Sequence, residues 1–253
     1  MTSLSIKAPI TWRYASPQAF YPLAGKLATL ATQLAVALIA LGLYVGFFIA
    51  PTDAQQGEAY RILYVHVPAA WMAMVIYLAM AFWGGVGLVL NARLSFMMMQ
   101  ALAPTGALHA FVCLLTGALW GRPTWGTWWV WDARLTSVLI LLFLYVGFIA
   151  LQSAIDDARR ADRAGAVIAL VGAVNVPVIY CSVQWWNTLH QGASISLRSA
   201  PTLAVPMLVG LGLCTLGFWA AAIAAVLRRL RAIVLERERD AGWVRRLAPE
   251  VRP

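Results

Sequence analysis

Charge is scarce in this chain. Only 11% of its 253 residues are charged, against 62% hydrophobic, and the mean hydropathy is +0.75. A soluble domain of this length cannot hide so much apolar surface, so the chain belongs in a lipid bilayer. Cysteine is sparse too. Cys113, Cys181 and Cys214 fall inside apolar runs with no C-x-x-C pair or metal-type spacing, which argues against a disulfide framework and thiol redox chemistry. No G-x-x-x-x-G-K-S/T loop, H-E-x-x-H or G-x-S-x-G is present, so ATP hydrolysis and the familiar hydrolase chemistries lack their residues. No internal repeat or low-complexity linker divides the chain, which reads as one domain: a segment 1–26, a helical bundle 27–227 and a basic tail 228–253.

Six apolar runs are long enough to cross about 30 Å of hydrocarbon at roughly 1.5 Å per residue. They extend from Leu27 to Ala50, Ile62 to Leu90, Met97 to Gly121, Leu135 to Ile155, Ala164 to Gln184 and Ser199 to Leu227, and none contains Lys, Arg, Asp or Glu. They show no period-two alternation, so helices, which satisfy their own backbone, are expected rather than a barrel. The first run exceeds the roughly 7 to 15 residues of a signal-peptide core and no small-residue cleavage site follows, so it is read as a span. The expected fold is all-α, a six-span polytopic membrane bundle.

Six spans put both termini on one side. The segments on that side carry fifteen Lys and Arg, against four on the other: Arg61, Arg122, Arg134 and Arg198. The excess marks the termini as cytoplasmic. The formal net charge of +9 is therefore a topology signal plus a basic tail beside anionic membrane lipid, and it does not point to nucleic acid.

Three connectors share the opposite face, near 51–61, 122–134 and 185–198. The first leads into "YRILYVHVPAAW", where His66 lies about one turn inside the second span. The second holds "WGTWWVWD", Trp125 to Asp132. The third reads "WWNTLHQGASISLR" and carries His190. A histidine at a membrane surface is commonly a hydrogen-bonded interfacial residue. Two neutral imidazoles from different helices are also able to hold one transition metal from opposite sides.

Tryptophan ordinarily forms an anchoring belt at membrane interfaces, but belt tryptophans come singly. Trp125, Trp128, Trp129 and Trp131 come together, spaced by Gly126 and Thr127, and can form one aromatic surface for a large flat partner. Asp132 is placed to cap the next span and to orient Arg134 or a histidine. The outer arginines suit either headgroup phosphate or the carboxylates of a ligand. An iron porphyrin wants an aromatic floor, two axial imidazoles and guanidinium partners, and this face carries all three. Arg134, beside the tryptophans, is the first choice as a propionate partner, with Arg61 and Arg198 as further candidates.

His109 sits near the middle of the third run and is expected to hydrogen-bond a neighbouring helix that approaches over Gly106, Ala107 and Ala110. The mixed charges from Asp156 to Arg163, and the helical tail after Leu227, call for no more than a solvated or lipid-facing role.

With "YVHVPAAW" before it and "WWNTLHQG" after, "WGTWWVWDARLTS" resembles the CcmC family, the haem exporter protein C of cytochrome c-type biogenesis, over nearly the whole chain. The resemblance implies haem b held on the periplasmic face of the bacterial inner membrane. The axial ligands map to His66 and His190, and Trp125, Trp128, Trp129, Trp131 and Asp132 map to the haem-contacting segment. It further implies a non-enzymatic subunit that passes haem to the tethered chaperone CcmE, aided by the small subunit CcmD and associated with the ATPase CcmA and the permease CcmB. Two other readings stand beside it. A cytochrome b-like electron-transfer subunit usually holds its histidine pairs deep in the bundle. A haem-transporting permease needs a midplane polar pathway, for which His109, Asn175 and Gln100 are the few candidates.

Overall fold

The computed structural model describes residues 14–186, 188–190 and 203–247. Helix α1, Pro17–Tyr44, starts where Ser16 accepts a hydrogen bond from the Ala19 backbone N–H, and it ends in a π-helical turn, Val45–Ile49. A 3-10 turn, Glu58–Ile62, feeds directly into α2, Leu63–Leu90. Then come α3, Arg93–Trp125, α4, Ala133–Ala154, α5, Ala158–Gly172, α6, Asn175–Trp185, α7, Val205–Arg237, and a short α8, Gly242–Leu247. Six helical stretches are long and apolar enough to cross a membrane, with α5 and α6 together forming the fifth.

The first helix begins ten residues before the apolar run and the last ends ten residues after it, because headgroups and water solvate the charged extensions without breaking the helix. The last run was expected from Ser199, which lies outside the described residues. Leu203 and Ala204 are not helical, and α7 starts at Val205 with Pro206 in its first turn. The fifth span was expected to be continuous. It breaks at Ala173–Val174, because Pro177 cannot donate to the Ala173 carbonyl one turn back. Asn175 ties the break to α4, its Nδ2 donating to the Ser137 carbonyl at 2.9 Å.

Small residues set the helix spacing. Ala24, Ala28, Ala31, Ala35 and Gly42 form the buried stripe of α1, which lies against α7. At the centre, the Tyr145 ring lies across Gly106, where it leaves no room for a Cβ, while its hydroxyl donates to the Ala73 carbonyl at 2.7 Å. α3 runs unbroken through Pro104. The Nδ1–H of His109 donates to the Thr105 carbonyl of its own helix at 2.8 Å, not to a neighbour, and its ring meets Phe218 of α7 edge-on at 6.0 Å.

The termini meet at one end, where Tyr21 of α1 touches Trp243 of α8 with ring centroids 5.7 Å apart. A solvated role for every charge between Asp156 and Arg163 fails at Asp162. This carboxylate is buried and accepts from both Nη atoms of Arg237, at 2.6 and 2.8 Å, while Arg237 also donates to Gln100 Oε1 at 3.2 Å. The pair joins α5, α3 and α7. The opposite end holds the three connectors that carry the candidate site.

Candidate functional site

His66 points from the first full turn of α2 toward α3. Its Nδ1 lies 3.0 Å from Thr116 Oγ1, and the Thr116 hydroxyl donates to the Val112 carbonyl at 2.6 Å. With the hydroxyl proton committed, Thr116 accepts from Nδ1–H, and the imidazole lone pair is left on Nε2. The ring lies over Gly117, where a Cβ would come within 3.1 Å of Cε1, and meets Trp120 edge-on at 5.6 Å. Trp120 in turn donates from Nε1 to Gln56 Oε1 at 2.7 Å, which joins the first connector to α3.

The tryptophan segment starts where α3 stops. Gly126 takes φ +78°, a conformation that favours glycine, and its N–H closes on the Arg122 carbonyl. Arg122 also donates to the Gly126 carbonyl and lies 6.0 Å over the Trp128 ring. Trp129 and Trp131 meet edge-on at 5.4 Å, with Trp131 76% exposed and Trp128 55%. The Trp129 indole Nε1 is buried without a hydrogen-bond partner among the described residues.

Asp132 caps α4 as expected, accepting from the Leu135 N–H at 2.8 Å. Its second oxygen accepts from the Thr188 hydroxyl, and Thr188 Oγ1 accepts the His190 backbone N–H at 3.1 Å. One carboxylate thus fixes the start of α4 and the segment carrying His190. The His190 ring lies tilted at 6.1 Å from Trp125, and its Nδ1 is 3.5 Å from Arg134 Nη1. Val130, Trp131, Asp132, Ala133, Trp186, Thr188 and Leu189 surround a cavity of about 430 Å³ beside this cluster.

The arginines have structural partners. Arg134 donates to Ser182 Oγ at 3.2 Å and to the Ile179 and Tyr180 carbonyls at 3.4 and 3.3 Å, holding the end of α6 against α4. Arg61 pairs with Glu58 and donates to the Gly46 carbonyl, which the π-helical turn of α1 presents, so it fastens α1 to α2. Arg198 lies outside the described residues. Thr116, Gly117 and Thr188 were not singled out in the sequence. The first two lie within one turn of Trp120 on the end of α3 nearest the tryptophan segment, a pattern visible only once α2 is known to lie against it. Among the described residues no three His, Cys, Asp or Glu gather as a metal cage.

The family model described as Heme exporter protein C matches residues 10–245. Its named relatives agree: Heme exporter protein C of Haemophilus influenzae is 46% identical over 235 residues, covering 93% of this chain and 96% of that one. The Escherichia coli K12 protein of the same name is 45% identical over 234 residues, covering 92% and 94%. The chain belongs to the heme exporter protein C family. A ccmC-like mitochondrial protein of cytochrome c biosynthesis from Marchantia polymorpha is 46% identical over 182 residues, 72% of this chain and 77% of that protein. Nearly the whole length of the first two relatives is spanned.

Proposed function

We propose that this heme exporter protein C family member binds haem b as cargo on the connector face, between His66 and His190, and hands it to the tethered chaperone CcmE. The observations that support the proposal are that His66, at the start of α2, and His190, on the third connector, lie at the same end of the bundle, with His190 beside Trp125 and close to Arg134. The Thr116 hydrogen bond favours the His66 tautomer whose Nε2 is able to ligate iron. His190 differs: with Arg134 donating to Nδ1 the ring proton is on Nε2, so ligation through Nε2 requires that proton to move to Nδ1, which no longer accepts from Arg134, and cargo binding loosens the Arg134 contact.

The residues fit a flat, carboxylate-edged cargo in two further ways. Trp125, Trp128, Trp129 and Trp131 supply aromatic surface, and the buried Trp129 indole N–H, which has no acceptor among the described residues, suits a carboxylate. Asp132 acts by positioning, through Thr188, the segment that carries His190. Arg134 is the first propionate candidate, with Arg61 and Arg198 as secondary ones. The cluster lies beside an open aromatic surface, where a ring gripped by two ligands keeps an edge accessible for capture. The polypeptide acts as one domain in the bacterial inner membrane with its termini cytoplasmic and this face periplasmic, alongside CcmD, CcmA and CcmB, and is not itself a catalyst.

Titrating the purified apo-protein with haem tests this. A low-spin spectrum of two-imidazole iron at one haem per chain is expected, and a high-spin or non-saturating spectrum contradicts the proposal. Thr116→Val, which keeps the shape and removes the Nδ1 acceptor, is expected to weaken haem about 10-fold with the fold intact. Gly117→Ala is expected to act similarly by displacing the His66 ring, which a parallel melting curve separates from unfolding.

A further inference from the structure

Two arginines of α7, Arg228 and Arg231, lie on the α1–α7 seam at the termini end, a patch the haem reading leaves unused, and the exposed cations Lys26 of α1 and Arg229 of α7 lie on the same two helices. Lys26 immediately precedes the apolar run 27–50, and Arg228, Arg229 and Arg231 follow the run that ends at Leu227. That register sets them at the boundary between hydrocarbon and headgroups. Arg228 Nη2 donates across the seam to Thr32 Oγ1 at 2.6 Å. The Arg231 guanidinium lies 4.3 Å over the Tyr21 ring, and its Nη1 comes within 3.0 Å of where a Cβ on Gly25 would stand. Ala24, Ala28 and Leu227 form the apolar floor beneath.

Among the described residues neither arginine meets a carboxylate. Among the described residues, the ion pairs at this end are Arg93 with Glu238, Arg237 with Asp162, and Asp240 with Arg239 and Arg245. Arg231 Nε is buried with no hydrogen-bond partner among them. A snorkelling arginine normally ranges freely, whereas these two are held by a hydroxyl and a ring on a second helix, three residues apart and without counter-charge. Fixed guanidinium groups of this kind suit the oxygens of a phosphate.

We propose that Arg228 and Arg231, in the seam between α1 and α7, bind the phosphate of an anionic phospholipid, with Lys26 and Arg229 adding to the surrounding positive field. The lipid has a structural consequence. Of the six spans α1 is the least buried, at 17%, and it rests mainly on α7, so a headgroup on this seam strengthens the weakest attachment in the bundle.

The test is the melting midpoint of the full chain in nanodiscs of phosphatidylcholine with increasing phosphatidylglycerol. The midpoint of the native chain is expected to rise with phosphatidylglycerol. Arg228→Gln/Arg231→Gln is expected to lose at least about half of that rise, while Arg245→Gln/Arg246→Gln, which removes two charges from α8, keeps it. If the double variant does not insert, Arg228→Gln alone makes the same comparison, since Arg228 is exposed and its one hydrogen bond is to the half-buried Thr32 hydroxyl. No rise in the native chain, a full rise in the seam variant, an equal loss in the α8 variant, or the same rise from inorganic phosphate added to phosphatidylcholine nanodiscs would each overturn the proposal.

Discussion

Replacing both His66 and His190 by alanine is expected to abolish the low-spin haem spectrum and to weaken haem binding by more than about 100-fold. The aromatic surface and the arginines remain in that variant, so what is left is apolar stacking and charge, neither of which fixes an iron between two nitrogens. Each single variant should retain weakened binding, because one imidazole and an exogenous ligand can still hold the metal. His66 is held by Thr116 and lies over Gly117, while His190 sits on an irregular segment tied by Thr188 and Arg134. Losing His66 therefore removes the more rigidly placed ligand, and imidazole added to His66→Ala restores the low-spin spectrum. Melting midpoints of the variants should stay close to the native value, since neither ring lies in the central core. Full haem retention by the double variant would sink the proposal.

The second large effect is on stability and lies at the other end of the bundle. Asp162→Ala strips the half-buried Arg237 guanidinium of its two short charged hydrogen bonds and leaves it Gln100 alone. Side-chain exposures of 8% for Asp162 and 19% for Arg237 mean that water compensates little. Removing one partner of such a pair costs about 3 kcal/mol, which for a chain of this size lowers the melting midpoint by roughly 6 to 12 °C. Adding Arg237→Leu should recover most of the loss, because the penalty comes from the uncompensated charge rather than from a large net value of the pair. Haem bound per folded molecule should not change. A midpoint equal to that of the native chain in Asp162→Ala would show that the pair is solvated.

The contrast between the two ends explains what was legible in the residues. Six charge-free runs, each longer than the hydrocarbon is thick, announce their spans, and an acid placed just before "ARLTSVLILL" announces a helix cap that Asp132 indeed makes. The gathering of three connectors on one face follows from counting spans. The partners across helices were hidden. Thr116 inside an apolar helix reads as a residue bonded to its own backbone, which it is, and only the neighbouring α2 shows that its oxygen also fixes a histidine tautomer. Asp162 looks like Asp156 and Asp157 until α7 brings Arg237 against it. Arg61 resembles any interfacial arginine, and its tie to the Gly46 carbonyl depends on a π-helical turn that no short motif encodes. Pro177 signals a possible break, but a proline in an apolar run is compatible with both a kink and a stop.

The most direct measurement is a structure of the haem-loaded protein in a lipid nanodisc. Haem held as proposed gives an iron bonded to imidazole nitrogens of His66 and His190 on opposite faces of the ring, with Trp125 against the porphyrin and the Arg134 contact to His190 Nδ1 released. An iron with any other axial pair, or a haem seated away from the tryptophan segment, contradicts it.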